Sequence, residues 1–305
     1  MRATRKGFGQ GIVEAAKRNS AVCALTADLT GSTGLNDFEK NYPKRFFQVG
    51  VAEQNLVTVA SGLAHVGKIP FATSFAAFSP GRNWEQIRTT ICYNNQPVKI
   101  VGTHTGLGVG EDGATHQMME DVALMRTLPN MTVIVPCDFE EARKATLALV
   151  KTKKPAYLRL GRQKVPDITK KSDKFVIGKA NVLRRGNKIT IIACGPMVST
   201  ALQAANNIKG AEVINLHTIK PIDKQTILRS VKKTKKVITI EDHQIHGGMG
   251  SAVAEVLAQS NLNFKMKLMG IKDEFGESGP KNQLYDKFKL TSKHIIKEAL
   301  LLKKK

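Results

Sequence analysis

Between His104 and His116 the sequence sets two imidazoles, two carboxylates (Glu111 and Asp112) and four glycines within 13 residues. Such a stretch is too polar for a core. Imidazoles shuttle protons near neutral pH, and a carboxylate can hold one particular hydroxyl, so the composition points to a functional loop. A metal site is another use for these side chains, but the spacing offers neither a helical His-x3-His pair nor a third close imidazole. Glu53, in Gly50-Val51-Ala52-Glu53-Gln54-Asn55, is a second candidate. It stands just past a strand end, in the first turn of a helix, where the dipole favours a carboxylate whatever its task. Phe75 and Phe78 lie three residues apart at a strand-to-helix transition, a spacing that by itself suits two core aromatics.

These residues need elements to position them. Short apolar runs alternate with helix-period segments along the whole chain, the pattern of parallel α/β architecture. The first half predicts six strands, over 22–27, 46–49, 71–75, 98–103, 131–135 and 156–160. Helices are predicted over 11–17, 53–65, 84–93, 118–126 and 139–151. A polar stretch broken by Pro166 reads as a linker over 166–178. A second set then follows, with strands over 189–193, 212–216, 237–240 and 265–269 and helices over 199–208, 251–259 and 292–301. The expected fold is α/β with two doubly wound domains: a six-stranded parallel sheet over 1–165 and a smaller, mostly parallel sheet over 179–305. Ligands of open α/β sheets collect at the carboxyl ends of strands, and 28–32, 49–53, 74–78 and 104–116 all fall there.

Composition narrows the function classes. With 47 basic and 25 acidic residues the formal net charge is +22, and the excess sits in the second half, in runs such as Lys232-Lys233-Thr234-Lys235-Lys236. No recognition-helix motif, zinc-finger spacing or aromatic platform accompanies those runs, so nucleic acid is not the expected partner. Solvated lysine faces are expected, with a field that favours anionic substrates or an acidic partner. No apolar run reaches the ~20 residues that span a bilayer, and no apolar segment follows the basic N-terminus as in a signal peptide. Cys23, Cys92, Cys137 and Cys194 are widely spaced, which suits buried, reduced thiols in a cytoplasmic protein.

In order along the chain, the motifs resemble the pyrimidine-binding half of transketolases. They are Thr4-Arg5-Lys6, Ala27-Asp28-Leu29-Thr30-Gly31-Ser32, Val49-Gly50-Val51-Ala52-Glu53-Gln54, Phe75-Ala76-Ala77-Phe78, and the specific Gly108-Val109-Gly110-Glu111-Asp112-Gly113-Ala114-Thr115-His116-Gln117, followed by Leu158-Arg159-Leu160-Gly161-Arg162-Gln163. The resemblance implies a thiamine-diphosphate enzyme that passes a two-carbon ketol unit from a ketose phosphate to an aldose phosphate. By it, Glu53 hydrogen-bonds a ring nitrogen of the cofactor's pyrimidine, Phe75 and Phe78 flank that ring, and Asp28 belongs to the cofactor site. His104 and His116 contact the sugar as catalytic groups, Asp112 holds a sugar hydroxyl, and Arg5, Ser32 and Arg162 grip the terminal phosphate, for which an Arg fork is suited. Two departures stand out: the segment 79–85 is one residue longer than in some full-length relatives, and Trp84 is the nearest counterpart of a third aromatic.

The sequence has no Gly-Asp-Gly element followed by an Asn that would hold magnesium and the diphosphate. It also resembles the separately encoded C-terminal halves of transketolases, read as beginning at Met1. The expectation is a separate N-terminal partner subunit carrying Mg2+ and the diphosphate, in an α2β2 assembly with a shared active site. Competing expectations are the β-subunit of a 2-oxo-acid dehydrogenase, a 1-deoxyxylulose-5-phosphate synthase-like enzyme, a split transketolase for an unusual sugar phosphate, and a non-catalytic regulatory module. The Gly-rich turn His246-Gly247-Gly248-Met249-Gly250-Ser251-Ala252 suits packing or a subunit contact, with a phosphate or ion site as the alternative.

Overall fold

Val22–Thr26 is buried at all five positions, as expected of a strand covered by helices on both faces. The computed structural model describes residues 1–304. Its strands, in chain order, are β1 (Arg2–Ala3), β2 (Val22–Thr26), β3 (Phe46–Gln48), β4 (Ile69–Phe75), β5 (Lys99–Thr103), β6 (Thr132–Ile134), β7 (Ala156–Arg159) and β8 (Lys164–Val165), then β9 (Asn181–Arg184), β10 (Ile189–Ala193), β11 (Ala211–Asn215), β12 (Thr218–Lys220), β13 (Lys236–Gln244) and β14 (Lys265–Ile271).

The main sheet has the order β12-β6-β7-β5-β4-β2-β3. Its six strands from the first half pair in parallel, as expected. The seventh, β12, comes from the second half and joins antiparallel to β6. The second sheet, β14-β13-β10-β11-β9, is parallel apart from β9. Sequence periodicity missed both antiparallel edge strands, of three and four residues, because so short a run carries almost no period.

From β2 the chain runs outward to β3 and returns on the other side as β4. A crevice therefore opens at the carboxyl ends of β2 and β4, the usual ligand position in such sheets. Parallel pairing sets Phe75 opposite Thr103, and His104 follows directly.

The first helix begins at Thr4 rather than at Gly11. Its glycines argue against a helix locally, but they are needed for packing against the helix Phe139–Val150. A Cβ on Gly7 would lie 2.1 Å from the Phe139 carbonyl oxygen, and one on Gly11 would lie 2.9 Å from that of Arg143. β1 pairs with β8, and Thr4 Oγ1 accepts the Gly161 N–H at 2.8 Å. Together these bring Arg5 to the corner that holds Arg162. The helix expected from Met118 starts at Asp121, since Met118 and Met119 spend their carbonyls on Gly106 and Gln244 of other segments. The segment 84–93 is one turn of α-helix followed by a π-helix over Ile87–Tyr93. A continuous apolar core joins the sheets, with Val133 and Val135 of the first half packed among Ile192, Ile214 and Leu216 of the second.

Candidate active site

Glu53 opens the helix Glu53–His65 and is only 2% exposed. Its carbonyl oxygen accepts from Asn83 Nδ2 at 2.7 Å, and its carboxylate Oε2 accepts from Arg82 Nη1 at 2.8 Å. A carboxylate this deep requires a partner. Arg82, on the segment 79–85, is the one that sequence reading overlooked.

Phe75 ends β4, and Phe78 follows in the next turn, with ring centroids 6.0 Å apart and planes 18° from parallel. His104 stacks on Phe75 at 3.7 Å. His116, from the far end of its loop, sets its ring edge-on to Phe78 at 5.5 Å and to Phe75 at 6.3 Å. The two rings and two histidines expected from sequence thus form one cluster.

His104 is 4% exposed and adopts φ +56°, a left-handed backbone uncommon for a side-chain-bearing residue and often kept at functional positions. Burial, then the charges of Arg5 and Arg162, push its pKa down to about 3, so the ring is neutral. Nε2 lies 3.3 Å from Arg5 Nη1. A guanidinium only donates, so Nε2 is the acceptor and the ring proton sits on Nδ1, which donates to Thr103 Oγ1 at 3.0 Å. Thr103 Oγ1 in turn donates to the Ser74 carbonyl at 3.3 Å.

Arg5 also donates to the backbone carbonyl of Ser32; the Ser32 contact seen here is thus made by its main chain rather than its hydroxyl. Burial, reinforced by the charge of Arg162, lowers the Arg5 pKa, and its buried Nε has no hydrogen-bond partner among the described residues. Two guanidiniums near one another, with an unpaired buried N–H, suit an anion. Arg162 bonds the Val109 carbonyl and Asp112 Oδ2, each at 3.0 Å, tying the loop's acid to the same corner. Asp28 stands exposed at the end of β2 with φ +58°, its N–H donating to Gln48 Oε1 at 2.6 Å.

The second half holds the loop from behind. Asp242 Oδ1 accepts the Leu107 N–H at 2.9 Å, and Asp242 Oδ2 accepts the Tyr285 hydroxyl at 2.9 Å. Gln117 Nε2 donates to the carbonyls of Gly110 and Glu277. None of these supports except Gln117 lay within a motif singled out from sequence. The Gly-rich turn at 246–250 proves to serve packing. Glu241 accepts the N–H groups of Met249 and Gly250 at 2.6 and 2.7 Å, so the chain's own carboxylate fills the anion position. Burial pushes the Glu241 pKa up to about 7.

A flat, aminopyrimidine-type ring fits this arrangement, with a buried carboxylate for a ring nitrogen and near-parallel phenyl rings for its face. Comparisons with known proteins point the same way. Residues 1–167 match the family described as transketolase, pyrimidine binding domain, and residues 178–295 match transketolase, C-terminal domain. A putative transketolase C-terminal section from Methanocaldococcus jannaschii is 45% identical, covering 97% of this chain and 95% of that protein. A 6-deoxy-6-sulfo-D-fructose transketolase subunit from a Clostridium species is 41% identical, covering 94% and 90%. A solved split-gene transketolase, described as an inactive β4 tetramer, superposes with TM-score 0.93 at 42% identity, covering 99% of this chain and 98% of that one.

Proposed function

The chain belongs to the transketolase family, and from that membership we propose that it is the pyrimidine-binding subunit of a split transketolase. It transfers a two-carbon ketol unit from a ketose phosphate to an aldose phosphate, together with a separate diphosphate-binding subunit that also carries Mg2+. Thiamine diphosphate, on which the family depends, supplies the carbanion chemistry when bound.

The chain's own residues bind, orient and move protons. Glu53 receives the ring nitrogen of the pyrimidine, and its burial strengthens that hydrogen bond. Phe75 and Phe78 fix the ring plane, and Asp28 lies at the neighbouring strand end. His104 is neutral, and its Nε2 lone pair, which accepts from Arg5 in this structure, passes to a substrate hydroxyl once Arg5 turns to the terminal anion; His116 is the second imidazole that hydrogen-bonds the sugar. Asp112 selects a hydroxyl, and Arg5, Ser32 and Arg162 hold the terminal anion. The 6-deoxy-6-sulfo-D-fructose for which the Clostridium relative is named carries a sulfonate, another tetrahedral anion suited to two guanidiniums. Assembly as α2β2 in the cytoplasm completes the reading.

The observation that carries this proposal is the cluster of Phe75, Phe78, His104 and His116 beside Arg5, with the buried Glu53 carboxylate linked to Phe78 through Arg82. The test is two-carbon transfer from xylulose 5-phosphate to ribose 5-phosphate. The purified chain should show none, and the chain with its partner subunit, thiamine diphosphate and magnesium should show it; robust turnover by the chain alone would overturn the split-enzyme reading. Glu53→Gln should cost orders of magnitude in turnover, and a near-normal rate would remove Glu53 from its role.

A further inference from the structure

Arg82 stands where the cofactor's pyrimidine is proposed to sit. Its side chain is 53% exposed, yet its guanidinium reaches inward to the 2%-exposed carboxylate of Glu53. The same guanidinium lies 5.3 Å from the centroid of the Phe78 ring. One cationic group therefore engages both features that would recognise an aminopyrimidine, the carboxylate and an aromatic face.

The surroundings are built so that the side chain can leave while the backbone stays. Asn83, fully buried, ties the next residue to the Glu53 carbonyl at 2.7 Å and to Ser79 Oγ at 3.2 Å. The turn is also tight at Gly81, where a Cβ would lie 2.0 Å from the Ala77 carbonyl oxygen. Trp84 is pinned by Nε1 to the Leu124 carbonyl at 2.9 Å. Among the described residues, the Arg82 side chain is held only by Glu53 and the Phe78 face. A rotation about its flexible stem delivers the guanidinium to water, where it is readily solvated.

We propose that Arg82 is a displaceable stand-in for the pyrimidine: it neutralises Glu53 and covers Phe78 in the cofactor-free subunit, and must swing out for the ring to seat. Arg82 thus sets the cofactor affinity of the assembled enzyme. This rests on the reading of Glu53 as the pyrimidine's partner. The segment 79–85 gains a task by the same step, since it presents Arg82.

Calorimetric titration of thiamine diphosphate with magnesium into the chain assembled with its partner tests the proposal. An Arg82→Gln complex should bind the cofactor about five- to tenfold more tightly than wild type, the equivalent of one net hydrogen bond, weakened by the half-exposed setting of Arg82, no longer given up. Arg82→Lys, which keeps the charge with weaker fork geometry, should fall between. In a Glu53→Gln background, changing Arg82 should gain nothing. Equal or weaker binding by folded Arg82→Gln overturns the proposal, and if that variant fails to fold, equal or weaker binding by Arg82→Lys does so. Wild-type affinity in the Glu53→Gln complex would instead remove the underlying assignment of Glu53.

Discussion

Asp242 and Leu107 are 135 residues apart in sequence and joined by a 2.9 Å hydrogen bond from the Leu107 N–H to the Asp242 carboxylate. β13 of the second half thereby holds the root of the loop that carries Asp112 and His116. The other Asp242 oxygen accepts from Tyr285, whose oxygen accepts from Gln163 Nε2 at 3.0 Å, one residue beyond Arg162. The smaller sheet therefore sits behind the site as its scaffold.

Tyr285→Phe should expose that role. The change deletes one hydroxyl and leaves two buried polar groups short of a partner, at a cost of about 1–3 kcal/mol. Urea denaturation should show that loss. In the assembled enzyme, KM for the ketose donor should rise while cofactor affinity, which the proposed function assigns to Glu53, stays at the wild-type value. A weakened cofactor affinity with an unchanged KM would show that the network supports something other than the loop.

A second network should be far less tolerant. Arg159, 3% exposed, donates from Nε to the fully buried Asp121 at 2.8 Å, and Tyr157 donates to the same carboxylate at 2.6 Å. The Arg159 pKa is raised, since the charges of Asp121 and Asp242 outweigh a burial that alone would lower it. Asp121→Asn strands a buried guanidinium and should cost about 3–5 kcal/mol, measured as a fall in the denaturation midpoint. Asp121→Asn combined with Arg159→Met should recover part of the loss, because the unpaired charge is gone.

Much of the site was legible because its chemistry is local in sequence. Glu53 marks its own helix start, and the helix over 53–65 was placed to the residue. The loop over 104–116 announces itself by composition, and the strands over 71–75 and 98–103 aim Phe75 and His104 at one crevice. Other parts depended on pairings that no local pattern records. Arg82 looks like a surface arginine until a buried carboxylate is found beneath it. Asp242 falls beyond the strand expected over 237–240, in the polar end by which β13 runs on to Gln244. The start of the first helix was misplaced because Gly7 and Gly9 lower its propensity, while the close approach of the Phe139–Val150 helix to Gly7 and of the Gly34 carbonyl to Gly9 leaves no room for a Cβ there.

Two glycines with nearly the same backbone angle should respond differently to substitution. Gly50, next to the Glu53 turn, has φ +72° and open space around a would-be Cβ. Gly106, at the loop root, has φ +70°, and a Cβ there would lie 2.1 Å from Asp242 Oδ2. Gly50→Ala should cost only the left-handed strain, about 1–2 kcal/mol. Gly106→Ala adds a collision with a buried carboxylate that is already fixed on both oxygens, at a backbone geometry (φ +70°, ψ −172°) that is essentially restricted to glycine, so its loss of stability should be the larger. Its donor KM should rise as in Tyr285→Phe. Equal melting temperatures for the two variants would contradict the close approach.

His104 should leave a signature in the pH dependence of stability. Its folded pKa is about 3, lowered chiefly by burial from an ordinary value of 6.5. Below pH 6.5 the unfolded chain therefore takes up a proton that the folded chain refuses, and stability falls as the pH drops toward 3. The effect should reach about 2 kcal/mol by pH 5, at 1.36 kcal/mol per pH unit. His243, held near 4, acts in the same sense, while Glu241, raised to about 7, acts in the opposite one as it gains a proton on acidification. Comparison with His104→Gln cancels both of these background groups. Between pH 6.5 and 5 the wild-type unfolding free energy should decline more steeply than that of the variant, by about 1.4 kcal/mol per pH unit at the acid end. Parallel curves would mean that His104 is protonated in the folded chain. Nε2 could then no longer accept from Arg5, and the neutral ring assigned to the site would be wrong.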